Sequence, residues 1–245
     1  MMNETIGLLK QHRSIRKFTK DPVTAEQLDA ILTAAQQAST SSNMQAYSVI
    51  GITDKELRSE LAKLAGNQAY IEESSVFLVW CADLYRWEQA AKRHYDEEIL
   101  STTENFIIGT VDAALAAQNA AVAAESLGLG IVYIGGIRNQ PEQISELLEL
   151  PQHVYPVFGM CIGVPDQSPL DRPRLPRSAV YYENSYNTST IDSNIDAYDE
   201  TMSNYMRARS NGKAGTTWSE AMAAKAGPVR MHMRSFLQKQ GFELE

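Results

Sequence analysis

Cysteine is scarce. The 245 residues contain two, Cys81 and Cys161, each inside an apolar stretch and neither part of a C-x-x-C spacing. Such a count gives no disulfide scaffold and no redox or metal motif, so both are expected as buried, reduced thiols. Histidine is also sparse, and the four at positions 12, 94, 153 and 232 show none of the spacings that gather zinc ligands. No metal is expected. Positive charge is in deficit: 22 Lys and Arg against 30 Asp and Glu leave a net −8, a balance that repels nucleic acid and anionic membrane surfaces. Any local gathering of arginines is therefore informative. The opening Met1-Met2-Asn3-Glu4-Thr5 lacks the basic, apolar and small-residue order of a signal peptide, and a cytoplasmic location is expected. A clean membrane-spanning run is missing as well. Residues 106–127 are apolar and long enough, but they carry Asp112, Gln118, Asn119 and Glu125, which hydrocarbon penalises. That stretch reads as a buried helix of a soluble protein.

Familiar catalytic motifs are absent too. There is no P-loop, G-x-S-x-G or H-E-x-x-H, and Gly128-Leu129-Gly130 follows a helix and precedes a strand, the reverse of the dinucleotide-binding order. No nucleophile and base stand out for a hydrolase. A protein without its own reactive side chains can leave the chemistry to a cofactor.

What is present is globular in balance, with 44% hydrophobic and 21% charged residues. Thr24 and Gln27 form a capping box, predicting a helix over residues 25–37. Asp54 caps another helix to about residue 65, and residues 104–127 form the long one, ended by Gly128. Residues 47–53 and 75–82 read as strands of the sheet centre; residues 131–134 and 154–163 are two further strands. Pro141 suits the first turn of a helix to Leu150. Beyond Pro165, a proline-bearing extended segment leads to two or three helices from about Ile195 onward. A tail of this length is hard to bury on one subunit. The expected organisation is a core of residues 1–165 and an extension, 166–245, of the same domain that wraps around a partner chain.

Four local features bear on function. In His12-Arg13-Ser14-Ile15-Arg16 a helical turn would let Arg13 and Arg16 converge on one anion, although a solvated basic turn has the same sequence. Asp171-Arg172-Pro173-Arg174-Leu175-Pro176-Arg177 holds three guanidiniums in a proline-stiffened stretch, suited to an anion or to a surface arm. Residues 39–43 offer hydroxyl, amide and backbone donors for a phosphate, for the carbonyl edge of a planar ring, or simply for a polar loop. Gly135-Gly136, at a strand end, allows backbone N–H groups to approach a flat cofactor, or makes a tight turn.

These features occur in a recognisable order. His12-Arg13-Ser14-Ile15-Arg16-Lys17-Phe18, Ser41-Ser42-Asn43-Met44-Gln45, Ala124-Glu125-Ser126-Leu127-Gly128-Leu129-Gly130, Tyr133-Ile134-Gly135-Gly136, Leu150-Pro151-Gln152-His153-Val154 and Arg174-Leu175-Pro176 resemble the oxygen-insensitive NADPH nitroreductase and flavin reductase family. Glu183-Asn184-Ser185-Tyr186 and Thr217-Trp218-Ser219 extend the likeness over nearly the whole chain. The resemblance implies an α+β nitroreductase fold, with a mostly antiparallel central sheet flanked by helices, in an intertwined homodimer. It further implies non-covalent FMN, NADPH as co-substrate with NADH as the alternative, and ping-pong hydride transfer to nitroaromatics, quinones or flavins. By position, His12, Arg13, Ser14, Arg16 and Arg174 are implied to hold the FMN phosphate, and Thr40, Ser41 and Ser42 to line the ring from the other subunit or its edge. Gln68 and Tyr70 are implied to contact ring and ribityl chain, and Ile134, Gly135 and Gly136 to form the platform beside N5. Arg172 stands where the best-known members have lysine, keeping the charge but changing its shape. Arg209 matches an arginine that recognises the NADPH 2′-phosphate; the basic residues expected after it fall on Ala214 and Gly215, leaving Lys213 close by. The segment 207–217 is expected to be mobile before nucleotide binds. The rival readings are a flavin reductase releasing free reduced FMN, and a non-catalytic phosphate- or nucleotide-binding subunit.

Overall fold

The computed structural model describes residues 3–97, 99 and 102–244. They form two compact units, Met1–Pro169 together with His232–Glu245, and Leu170–Met231. In the first, Asn3 opens a short helix, α1 (Glu4–Lys10), by accepting the Ile6 N–H. The capping box of Thr24 and Gln27 starts α2 (Ala25–Gln36) as anticipated. Strand β1 (Tyr47–Gly51), the Asp54-capped α3 (Lys55–Leu64), one-turn α4 (Tyr70–Glu73), β2 (Val76–Asp83) and α5 (Tyr85–Ala91) follow. Then come α6 (Thr103–Ser126), β3 (Gly130–Ile134), α7 (Pro141–Leu147) and β4 (Val154–Gly163).

The four strands form one antiparallel sheet in the order β1-β2-β4-β3. β2 is central and buried along nearly all its length, which is why its sequence is continuously apolar. β1 corrects the expectation of a central position: it is an edge strand, half-buried over its first four residues and exposed at Gly51. Pro156 is tolerated inside β4 because the register with β2 shifts there, Cys81 pairing Pro156 and Trp80 pairing Phe158.

Alternation divides the core between the two faces of the sheet. Phe77, Val79, Cys81, Val132, Ile134 and Cys161 meet Leu61, Ile71 and Ile144 from α3, α4 and α7. On the opposite face Leu78, Trp80, Ile131, Met160 and Ile162 meet Ile31 of α2 and the alanines 116, 117, 120, 121 and 124 of α6. Small side chains let this long helix lie close to the sheet. Burial pushes the Cys161 thiol up to about 12 and raises Cys81 as well, so both stay protonated.

In the second unit a helix, α8 (Ile191–Arg209), starts a turn before the expected Ile195 and is followed by α9 (Trp218–Ala223), opened by the capping box of Thr217 and Glu220. Tyr198, buried on α8, donates its hydroxyl to the Pro173 carbonyl at 2.9 Å, which fixes the proline-bearing segment to this helix. The chain then returns to the first unit as α10 (Met233–Lys239), whose Phe236 and Leu237 pack with Phe242, Tyr155 and Leu84.

Candidate functional site

The site residues of the first unit are organised by the two ends of β3. At its start lies the basic segment. α1 stops at Lys10, and residues 12–19 run extended: the Ile15 N–H donates to the Ile131 carbonyl at 2.8 Å, and Ser14 and Phe18 form bridges to Ile131 and Pro165. Gly130 makes this contact possible, since a Cβ there would lie 2.6 Å from Ile15 Cγ1. The helical turn on which convergence of Arg13 and Arg16 was conditional is not formed. Arg13 and Ile15 share a cavity of about 280 Å³ with Glu125, Gly130, Gln167 and Ser168. Arg13 Nη1 donates to Ser168 Oγ at 3.2 Å, and His12 Nδ1 lies 2.7 Å from Glu125 Oε1. Glu125 thus orients the imidazole. Neither Glu125 nor Ser168 stood out in sequence as a site residue, because each meets its partner only across more than a hundred residues of chain.

At the other end of β3, Ile134 is buried and Gly135 and Gly136 begin a 3-10 turn, Gly135–Asn139. The two glycines differ in purpose. A Cβ on Gly136 would fall 2.1 Å from the Ala65 carbonyl oxygen and 2.5 Å from Gln68 Nε2, so its hydrogen is a packing requirement. A Cβ on Gly135 would meet only Arg138 Nη2, at 3.6 Å; here the backbone is approachable. Gln68 Nε2 donates to the Ala65 carbonyl at 2.7 Å and accepts the Tyr70 hydroxyl on its oxygen. Gln68, Tyr70, Gly135 and Gly136, far apart in sequence, are thereby brought together. At about 3.3 Å per residue, Gly130 and Ile134, the two ends of β3, are separated by roughly 13 Å.

Thr40, Ser41 and Ser42 form a third group. Ser41–Asn43 is a 3-10 turn followed by a strained passage, with Ser42, Asn43 and Gln45 at φ of 46°, 58° and 52°. Buried Asp112 of α6 holds it in place by accepting the Ser41 N–H at 3.1 Å and the Ala46 N–H at 3.0 Å. The Ser41 and Ser42 side chains are left facing outward at an exposed turn.

The remaining predicted residues belong to the second unit. Arg172 and Arg174 are exposed on the segment that Tyr198 anchors, and Arg174 Nη1 donates to the Arg172 carbonyl at 2.8 Å. Arg209 ends α8 and Lys213 follows in the connecting loop. Within this loop the Ala214 N–H donates to Ser210 Oγ at 2.8 Å, and Ser203 Oγ donates to the Gly215 carbonyl at 2.8 Å.

Both the sequence and the fold have counterparts among known proteins. Residues 9–164 match the Nitroreductase family, and residues 172–245 match the Nitroreductase family, C-terminal domain. The FMN reductase (NADPH) of Bacillus subtilis (strain 168) is 48% identical over 98% of this chain and 99% of its own. The oxygen-insensitive NADPH nitroreductase of Salmonella typhimurium is 43% identical over 98% and 99%. Among solved structures, the NADPH:FMN oxidoreductase from Vibrio harveyi complexed with NAD+ superposes with a TM-score of 0.87 at 44% identity, covering 99% of each chain. An α+β architecture built on an antiparallel sheet is thus the nitroreductase fold. The chain belongs to the Nitroreductase family.

Proposed function

We propose that this protein is an FMN-dependent NADPH oxidoreductase that passes two electrons to nitroaromatics, quinones or free flavin. The observation that carries the reading is β3, which holds the polar and cationic segment 12–16 at one end and the open Gly135 backbone, with Gln68 and Tyr70, at the other. That layout suits an elongated ligand with an anionic tail and a flat head. Bound FMN supplies two-electron hydride chemistry at N5 of its ring.

The residues fit that ligand. In the first unit His12, Arg13, Ser14 and Arg16 offer donors for a phosphate; in the second, Arg172 and Arg174 are proposed to offer positive charge to the cofactor. Glu125 and Ser168 orient His12 and Arg13. Gly135, lacking a Cβ, lets a planar ring lie against the backbone, while the bond between Gln68 and Tyr70 presets two polar side chains beside it. Thr40, Ser41 and Ser42 are proposed to line the ring across a homodimer interface. Support for the dimer comes from α6, where Ile107, Val111 and Leu115 are 47%, 48% and 44% exposed at helical spacing and form an apolar stripe. Arg209 and Lys213 are proposed to meet NADPH. A cytoplasmic location accords with two buried free thiols.

The protein is expected to purify yellow, to bleach anaerobically on adding NADPH and to regain colour with nitrofurazone or a quinone. A flavin-free protein that FMN cannot reconstitute would refute the reading. A flavin reductase is the second reading, favoured by the relative named FMN reductase (NADPH). Turnover with free FMN exceeding that with every nitro or quinone acceptor would select it.

A further inference from the structure

The loop between α8 and α9 is built on one face of the longer helix. Asp199, Ser203, Arg207 and Ser210 are spaced four, four and three apart, which places their side chains in a single stripe. Three of them bind the returning chain directly. Asp199 accepts the Ser219 N–H at 2.8 Å and also the Ser219 hydroxyl; Ser203 donates to the Gly215 carbonyl; Ser210 accepts the Ala214 N–H. Next to Asp199, the Tyr198 ring packs edge-on against Trp218 at 5.7 Å between centroids.

Arg207 completes the stripe differently. A Cβ on residue 215 would lie 2.9 Å from Arg207 Nε and 3.4 Å from its Cγ, so the arginine occupies the space that a side chain at 215 would need. Gly215 also gives no side chain to the loop. Arg207, Arg209 and Lys213 are all exposed, and among the described residues none has a carboxylate within ion-pair distance. Three uncompensated cations on one short segment stand out in a chain of net charge −8.

We infer that Arg207 is a specificity-determining residue for the 2′-phosphate of NADPH, reaching the nucleotide loop from α8 across the gap that Gly215 leaves. The resemblance expects basic side chains at positions 214 and 215, where this chain has Ala and Gly; the charge missing from the loop is delivered by the helix instead. A guanidinium suits the task because its planar donors match a phosphate edge. Asp199 and Ser203 are positioning residues that hold the loop over it. The inference rests on the proposal that Arg209 and Lys213 meet the nucleotide.

The test titrates the flavin-loaded protein with adenosine 2′,5′-bisphosphate and with 5′-AMP by calorimetry, at low and high salt, beside KM for NADPH and NADH. R207A is expected to weaken the bisphosphate about five- to tenfold, a single exposed charge-assisted contact, while changing 5′-AMP less than twofold. It also flattens the salt dependence and lowers the preference for NADPH over NADH. G215A, by pushing Arg207 aside, weakens the bisphosphate in the same direction, and R207K restores part of the loss. R209A tests the underlying reading. If R209A weakens the bisphosphate and R207A leaves it within twofold, the inference falls and the nucleotide site stands; if neither matters, both fall. An equal loss for 5′-AMP in R207A means that Arg207 acts on loop shape, which also overturns its assignment to the phosphate.

Discussion

Asp112 lies in the middle of the most apolar helix of the chain, and its carboxylate is fully enclosed. In sequence it reads only as a penalty against membrane insertion. In the fold it is the anchor of the Ser41–Asn43 turn, because both of its oxygens accept backbone N–H groups. Replacing it by alanine strands those donors, one of them on buried Ala46, at a cost of about 3 kcal/mol. Asp112→Ala is expected to lower the denaturant midpoint and weaken flavin binding, and Asp112→Asn, which keeps one accepting oxygen, to fall between the two. Unchanged flavin affinity in a folded Asp112→Ala protein would separate this turn from the cofactor site. Glu125 and Ser168 have the same character: unremarkable residues whose importance comes from the partner that folding brings.

At the scale of elements, legibility followed locality. Caps and periodicity predicted α2, α3 and α6 within a residue or two, and continuous apolarity predicted β2 and β4, since those signals lie within the element itself. The one-turn α4 and the short α5 carry too few residues for a period to register. The basic segment leaves the helix for a physical reason: its backbone partner is Ile131, more than a hundred residues on, and that pairing is invisible to local preference. Gly136 shows the opposite case, in which a visible glycine pair concealed two distinct functions. Gly136→Ala forces a methyl against the Ala65 carbonyl oxygen and is expected to cost about 1–3 kcal/mol and to displace Gln68, reducing flavin content. Gly135→Ala, whose methyl would make only van der Waals contact with Arg138 Nη2, should leave stability nearly unchanged while weakening flavin binding. Equal melting temperatures for the two variants would contradict this division.

For the whole molecule, the apolar stripe of Ile107, Val111 and Leu115 is the surface on which assembly is argued. The wild-type chain is expected to show twice its own mass by light scattering. Val111→Glu, which places an unpaired charge in that interface, should cost about 3 kcal/mol of association and yield flavin-poor monomer. A monomeric wild-type chain that is nevertheless fully loaded with FMN would refute the shared site.

The sequence by itself determined the family, the main helices, the buried strand and the identities of the donors proposed for the cofactor, because motif order and local periodicity survive without coordinates. Only the tertiary structure decided that β1 forms an edge, that Glu125 and Ser168 meet His12 and Arg13 while Asp112 holds the Ser41–Asn43 turn, and that Arg207 lies against Gly215. Those facts depend on which distant residues share a few ångströms, and sheet pairing and core packing impose that proximity where no stretch of chain encodes it locally.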